Sequence, residues 1–367
     1  MRIGVVGGGQ LGRMLGLAGI PLGHEFRFLD PAADCPAAAV GAVVAGAFDD
    51  PDAVAAFAQG LDVITFEFEN VPAETLETLA ARARVAPGVT SLATSQDRVA
   101  EKRFFERCDI PVQRFAAVET VEDLARACGT VGCPGVLKTR RLGYDGRGQV
   151  VVRSPAEAPA AWRAVGGVPC IYEEFVPFTH EVSAIAARDA RGAVAHYPLA
   201  RNVHAGGILR TTIAPGEPAG GPVERQARAC IERALEALDH VGVLAIEFFA
   251  TPAGLVANEM APRVHNTGHW TQQGAVTSQF ENHIRAITGA PLGCGDARGA
   301  CGMVNLIGGM PAPEEVLAVP GAALHLYGKR ARRGRKIGHV NVCAPSTAVR
   351  DATMRVLTAL VAPTTDA

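Results

Sequence analysis

Short apolar runs alternate with helix-spaced segments over residues 2–84, and this alternation restricts the fold more than any other feature. Arg2–Val6 is an apolar run ending in Gly7-Gly8-Gly9, and Gln10–Ala18 carries its apolar residues at helical spacing. Phe26–Asp30 reads as a second strand closed by Pro31, a helix starts near Pro51, Asp62–Phe66 is a third strand, and Pro72–Arg84 is helical again. Strands separated by helices pair in parallel, because a parallel neighbour is reached only through a crossover. The 41 glycines and the 5% aromatic content suit a doubly wound unit of tight turns and closely packed helices.

The pattern then changes. A helix is predicted around Ser95–Cys108, followed by short strands at Val136–Thr139, Val150–Val152 and Cys170–Glu174, interrupted by Gly and Pro. From Glu181 onward strands dominate, including Val182–Ala187 and His196–Pro198. An amphipathic helix, Pro222–His240, precedes a hairpin over Val241–Met260. A second hairpin pairs Ala323–Tyr327 with Lys336–Val342 before a helix near Ala348–Leu360. At 367 residues the chain exceeds one typical domain.

A formal net charge of −2 gives no overall bias toward nucleic acid or membrane. No apolar run approaches the ~20 residues that span a bilayer. Nine cysteines without a CxxC pair read as reduced thiols. A soluble cytoplasmic enzyme is expected.

Gly7-Gly8-Gly9-Gln10-Leu11-Gly12 fits G-x-G-x-x-G between a strand and a helix, and Asp30 ends the next strand where a ribose-binding acid would stand. Taken alone, this suggests a nicotinamide-dependent oxidoreductase. Its physical content is narrower: glycines let backbone approach an anion, and the helix N-terminus stabilises it. A tight turn that needs glycine explains the pattern as well as a dinucleotide does.

Three later features agree with one another. Lys138 sits in the apolar run Val136-Leu137-Lys138, beside Gly143-Tyr144-Asp145-Gly146-Arg147-Gly148-Gln149, a loop able to fold backbone N–H groups onto phosphates. A hairpin turn is the plainer alternative. Tyr172-Glu173-Glu174-Phe175-Val176 is an apolar strand ending in acids, which offers main chain to a purine and carboxylate to ribose hydroxyls. Taken alone, an edge strand with solvated acids is the better explanation.

The Val241–Met260 hairpin is the most informative. Pro252 and Gly254 suit a three-residue loop that places Thr251 opposite Leu255, and therefore Glu247 opposite Glu259. Directly opposed like charges are destabilising. Two facing carboxylates in an apolar strand pair ask for a cation, and an oxygen-only set suits magnesium, which commonly takes one or two carboxylates plus nucleotide phosphates. A four-residue turn would instead pair Glu247 with Asn258 and send Glu259 to the other face. A partly exposed hairpin with unbound acids also remains open. Arg263, His265, Asn266 and His269 follow at once. The His265/His269 spacing lacks the helical Glu of a zinc site, and Pro262 and Gly268 argue for a loop, so these residues are assigned to anion and substrate binding.

Taken together, Gly7–Gly12, Phe66-Glu67-Phe68-Glu69-Asn70-Val71, Asp97-Arg98, Lys138 with Tyr144–Gly148, Asn258-Glu259 and Ala261-Pro262-Arg263-Val264-His265-Asn266 closely resemble the N5-carboxyaminoimidazole ribonucleotide synthetase family of de novo purine biosynthesis, within the ATP-grasp superfamily. The resemblance runs in order from residue 2 to about residue 343. It implies an α/β and α+β chain of ATP-grasp architecture. An N-terminal Rossmann-like domain (1–98) would precede a small central sub-domain (99–178) and a larger C-terminal domain (179–367).

The implied reaction consumes ATP, bicarbonate and 5-aminoimidazole ribonucleotide, with magnesium on Glu247 and Glu259, in a cytoplasmic homodimer that binds neither nucleic acid nor membrane. Arg98, Lys138, Gly143–Gln149, Glu173, Glu174, Phe175, Val176, Glu181, His204, Asn258 and Glu259 map to the ATP site. Gly8, Gln10, Leu11, Glu67, Asn70, Tyr144, Asp145, Arg263, His265 and Asn266 map to the amine and bicarbonate region. Arg263, His265, Asp145 and Lys138 are the expected catalytic groups. The basic stretch Lys329–Lys336 reads alone as a nucleic-acid patch or a solvated turn. The resemblance implies that it binds a 5′-phosphate through Lys329, Arg335 and Lys336, although Gly328, Arg330 and Arg333 depart from the family pattern. Another ATP-grasp ligase would leave the Glu67–Val71 and Arg263–Asn266 stretches without a role, and the retained acids argue against a non-catalytic nucleotide binder.

Overall fold

The computed structural model describes residues 1–143 and 148–361. Its N-terminal sheet is parallel throughout and five-stranded, ordered Ala42–Ala45, Glu25–Asp30, Arg2–Val6, Val63–Phe66, Arg84–Val85. Every residue of Val63–Phe66 is buried, as is all of Arg2–Val6 except Arg2. Strands covered on both faces by helices have that pattern. The Pro72–Arg84 helix is shorter than the spacing predicts: it spans Ala73–Ala80, and Arg84–Val85 becomes the edge strand.

The Ser95–Cys108 segment is likewise two helices, Val89–Ser95 and Arg98–Arg107. Asp97 causes the break. Its carboxylate accepts from the N–H groups of Val99 and Ala100, both at 3.1 Å, and so caps the second helix. Arg140 holds the same carboxylate at 2.8 Å.

A four-stranded antiparallel sheet follows, ordered Phe115–Val118, Cys170–Glu174, Gly135–Thr139, Gln149–Val152. The third sheet has nine strands. Gly254–Ala261, Gly242–Thr251 and His180–Arg188 form one end, and Ala300–Ile307, Lys336–Ala344 and Ala322–Leu326 the other. Pro222–Ala237, the helix predicted to reach His240, stops where Asp239 takes a left-handed φ of 43°.

Phe104, Phe105 and Ile110 pack into the core beneath this large sheet, with Leu244, Ile246 and Phe248. The parallel sheet is tied to the large one by helix Gln279–Thr288. Its His283 accepts from the Val243 N–H through Nδ1 at 3.1 Å, so Nε2 carries the proton and donates to Thr65 Oγ1 at 2.9 Å. Burial pushes that imidazole down to about 3, which keeps it neutral.

Candidate active site

A cleft of about 600 Å³ lies among the three sheets: Gln10 and Asn70 reach it from segments that follow strands of the first, Lys138 and Glu173 from the second, Glu247 and Glu259 from the third. The hairpin that supplies the two glutamates differs from its expected form. Its connection is Pro252-Ala253 alone, with Thr251 paired to Gly254 and Phe248 to Ala257. Continued unbroken, that register would set Glu247 against Asn258. A β-bulge between Glu247 and Phe248 on one strand, with Asn258 as the extra residue on the other, brings Glu259 opposite Glu247 after all. The facing pair is therefore real, but a bulge makes it rather than a three-residue loop. Gly254 does take the positive φ, 123°, that the turn requires.

The two carboxylates are electrostatically unlike. Glu247 keeps 14% of its side chain exposed and Glu259 39%. Burial, and then the charge of Glu259, push the Glu247 carboxyl up. Burial works in the same direction on Glu259, but Arg98 Nη1 at 2.9 Å from its Oε2 outweighs it and holds the group ionised. Among the described residues no group of three or more His, Cys, Asp and Glu side chains is arranged to hold a metal. Two carboxylates with room for phosphate oxygens and water fit magnesium better than a closed transition-metal site.

Around the pair the cleft is built from charged side chains held by one another. Lys138 Nζ lies 2.6 Å from Glu173 Oε2 and 3.3 Å from Asn258 Oδ1. Glu173 is buried, yet Lys102 and Lys138 overcome the cost of that burial and pull its carboxyl down to about 2. His204 pairs with Glu181, which raises the imidazole against burial. Arg263 Nη2 is 2.9 Å from Glu69 Oε1. His265 is pushed down to about 3 by burial and by Arg263, so it is neutral, and Gln279 clamps its backbone through both N–H and carbonyl. Both polar atoms of the Asn266 amide are buried without a partner among the described residues, a donor and an acceptor on the cleft wall.

Gln10, Leu11, Asn70, Arg98, Lys138, Gly143, Gln149, Glu173, Glu174, Phe175, Val176, Glu181, His204, Glu247, Asn258, Glu259, Arg263, His265, Asn266 and Lys336 all line this one cleft. Gly8, Glu67, Gly148, Lys329 and Arg335 do not. Gly8 donates to Asp30, and Glu67 accepts from the N–H groups of Gly9 at 2.8 Å and Gly12 at 3.4 Å. Gly148 accepts through its carbonyl from Thr139. Lys329 binds the Oε1 of Gln10, and Arg335 is exposed. Tyr144, Asp145, Gly146 and Arg147 lie outside the described residues.

Sequence reasoning gave no role to Glu69, Glu101 or Lys102. Arg98, Glu101, Lys102 and Phe105 share one helix face, so the spacing carried a signal that their charges concealed.

A small antiparallel sheet facing a larger one across a cleft, with a lysine set over paired acids, defines an ATP-grasp domain. A family model of that description matches residues 103–280. Models of a ribonucleotide synthetase preATP-grasp domain and of a phosphoribosylaminoimidazole carboxylase C-terminal domain match 1–96 and 301–353. The N5-carboxyaminoimidazole ribonucleotide synthase of Pseudomonas aeruginosa is 48% identical over 98% of this chain and 99% of its own. The crystal structure of N5-carboxyaminoimidazole ribonucleotide synthetase from Thermus thermophilus superposes with a TM-score of 0.94, at 50% identity over 98% of each chain. The Aspergillus clavatus N5-carboxyaminoimidazole synthase, solved with ADP and 5-aminoimidazole ribonucleotide, gives 0.92 at 31% identity, again over 98% of each chain. The chain belongs to the N5-carboxyaminoimidazole ribonucleotide synthase family of ATP-grasp ligases. No helix among the described residues is long and apolar enough to cross a membrane.

Proposed function

We propose that the chain carboxylates 5-aminoimidazole ribonucleotide with bicarbonate, converting ATP to ADP and phosphate through carboxyphosphate. The observation that carries this reading is the facing of Glu247 and Glu259 in the same cleft as Lys138, Arg263 and a neutral His265. The Aspergillus relative, which holds ADP and the aminoimidazole nucleotide together, supports the substrate pair.

Bicarbonate is a poor electrophile. Transfer of the γ-phosphoryl group to one of its oxygens, with ADP leaving, turns that oxygen into a leaving group. The exocyclic amine then attacks the carboxyl carbon of carboxyphosphate and expels phosphate, or attacks CO2 once phosphate has left; on either route the nitrogen gives up a proton, which the released phosphate can take. Phosphoryl transfer needs alignment and charge neutralisation more than covalent help. Glu247 and Glu259 would hold magnesium, which neutralises phosphate charge when bound. Lys138, tethered between Glu173 and Asn258, presents its ammonium at a fixed point for phosphate oxygens. Arg98, Glu181, His204, Asn258, the Glu173–Val176 segment and the Gly143–Gln149 loop complete the ATP site in this reading. Arg263 and His265 would hold bicarbonate or carboxyphosphate. Gln10, Leu11 and Asn70 would bind the amine substrate with Asn266 and Tyr144, Gly8 and Glu67 would fix the loop that carries Gln10 and Leu11, and Asp145 would orient the amine. Lys329, Arg335 and Lys336 would take its 5′-phosphate.

Domain limits at 98/99 and 178/179, a homodimeric assembly and a cytoplasmic location are further parts of the proposal. The test is ADP release measured with each substrate omitted in turn. Release that requires both bicarbonate and the amine nucleotide is expected. Release unchanged without the amine, or absent with all three present, would overturn the assignment.

A further inference from the structure

Lys102 is fully buried and does not line the cleft, yet its ammonium is held on several sides. Its Nζ donates to the carbonyls of Ala257 at 2.9 Å and Asn258 at 2.6 Å, and lies 3.3 Å from Gln113 Oε1 and 3.5 Å from Glu173 Oε1. Those two carbonyls belong to the bulge that sets Glu259 against Glu247. In a regular strand consecutive side chains point to opposite faces. Here Asn258 and Glu259 both reach the cleft. A bulged strand leaves backbone groups outside its ladder, and buried ones need other partners. The Ala257 N–H finds one in the Pro111 carbonyl at 2.7 Å, and Lys102 donates to the Ala257 and Asn258 carbonyls.

The neighbouring turn of the same helix completes the grip. Glu101 Oε1 accepts from the Met260 N–H at 2.7 Å, and Arg98 holds the Glu259 carboxylate. A buried ammonium is costly, and an apolar side chain of similar size would often serve stability as well. Stability alone gives no reason for a charge at this point, whereas the bulge does.

We propose that Lys102 is a positioning residue: by holding the Ala257 and Asn258 carbonyls it maintains the bulge that turns Glu259 toward Glu247 and so forms the magnesium site. The inference rests on the metal reading above and separates from it experimentally. Mn2+ serves as the probe, its binding to the enzyme·ADP complex followed by the EPR signal of free Mn2+ in the wild type, Lys102→Met and Glu259→Gln. Removing a cation should by charge alone strengthen Mn2+ binding. Loss of positioning weakens it, by about tenfold or more, the usual scale for groups that orient metal ligands. The sign therefore decides. Lys102→Met is expected to bind Mn2+ at least tenfold more weakly while its KM for the amine nucleotide stays within twofold. If Lys102→Met does not fold, Lys102→Gln, which keeps an NH2 donor, carries the same measurement with a smaller loss expected. Unchanged or tighter Mn2+ binding in a folded Lys102 variant, with Glu259→Gln weakened, overturns the positioning role alone. Unchanged binding in Glu259→Gln overturns the metal site itself.

Discussion

The first glycine loop gathers acidic side chains at strand ends and the carboxylate hairpin sets them within its strands, and the two use them in opposite ways. At the loop, Asp30 and Glu67 accept from the N–H groups of Gly8, Gly9 and Gly12. The amides that a dinucleotide phosphate would need are occupied by the chain's own carboxylates, and the oxidoreductase reading falls with them. At the hairpin, Glu247 and Glu259 face each other, and Arg98 pairs with the Glu259 carboxylate. Acids with internal donors complete a fold; acids that repel each other await a cation.

The largest test of this contrast is Glu259→Gln. It removes an anionic ligand and is expected to lower ADP release by about 10²–10³, on the scale of losing one group that stabilises transition-state charge. Its thermal midpoint should stay near that of the wild type, and near-normal turnover would break the contrast. Glu67→Ala should do the reverse to stability. It leaves the Gly9 and Gly12 amides without their acceptor and is expected to cost about 1–3 kcal/mol in denaturant unfolding.

A smaller effect follows from Glu247, whose carboxyl is pushed up to about 7 by burial and by Glu259. The metal-free fold holds that proton more tightly than the unfolded chain does. This group's contribution to stability is therefore greatest at low pH and is lost as pH rises from about 4.5 through about 7. Metal must displace the proton, so Mn2+ affinity should fall roughly tenfold per pH unit below that value, and Glu247→Gln should abolish the dependence. Smallest of all, Arg332→Ala, exposed in the basic stretch, should leave the KM for the amine nucleotide within about twofold and stability within about 0.5 kcal/mol. A large loss there would extend the phosphate-binding region beyond Lys329, Arg335 and Lys336.

Much of the architecture was legible because period and turn chemistry are local. The parallel strands at Arg2–Val6 and Val63–Phe66 and the antiparallel pairs beyond Glu181 follow from alternation and glycine placement. What escaped reading was set by partners far along the chain. Arg84–Val85 is a strand because Val63 and Ile64 lie beside it. The break at Asp97 needs Arg140 to hold the cap. The pairing of Glu247 with Glu259 was reached through a loop length the chain does not use, since the bulge that creates it depends on Lys102, 155 residues before Ala257. Lys102 itself looks like any surface lysine in a charged helix until the structure buries it.

The most direct measurement is a crystal structure of this chain with Mg2+ and ADP. The ion is expected to be bound by carboxylate oxygens of both Glu247 and Glu259 and by phosphate oxygens of the nucleotide. An ion seated on the nucleotide with neither glutamate in its shell would contradict the account.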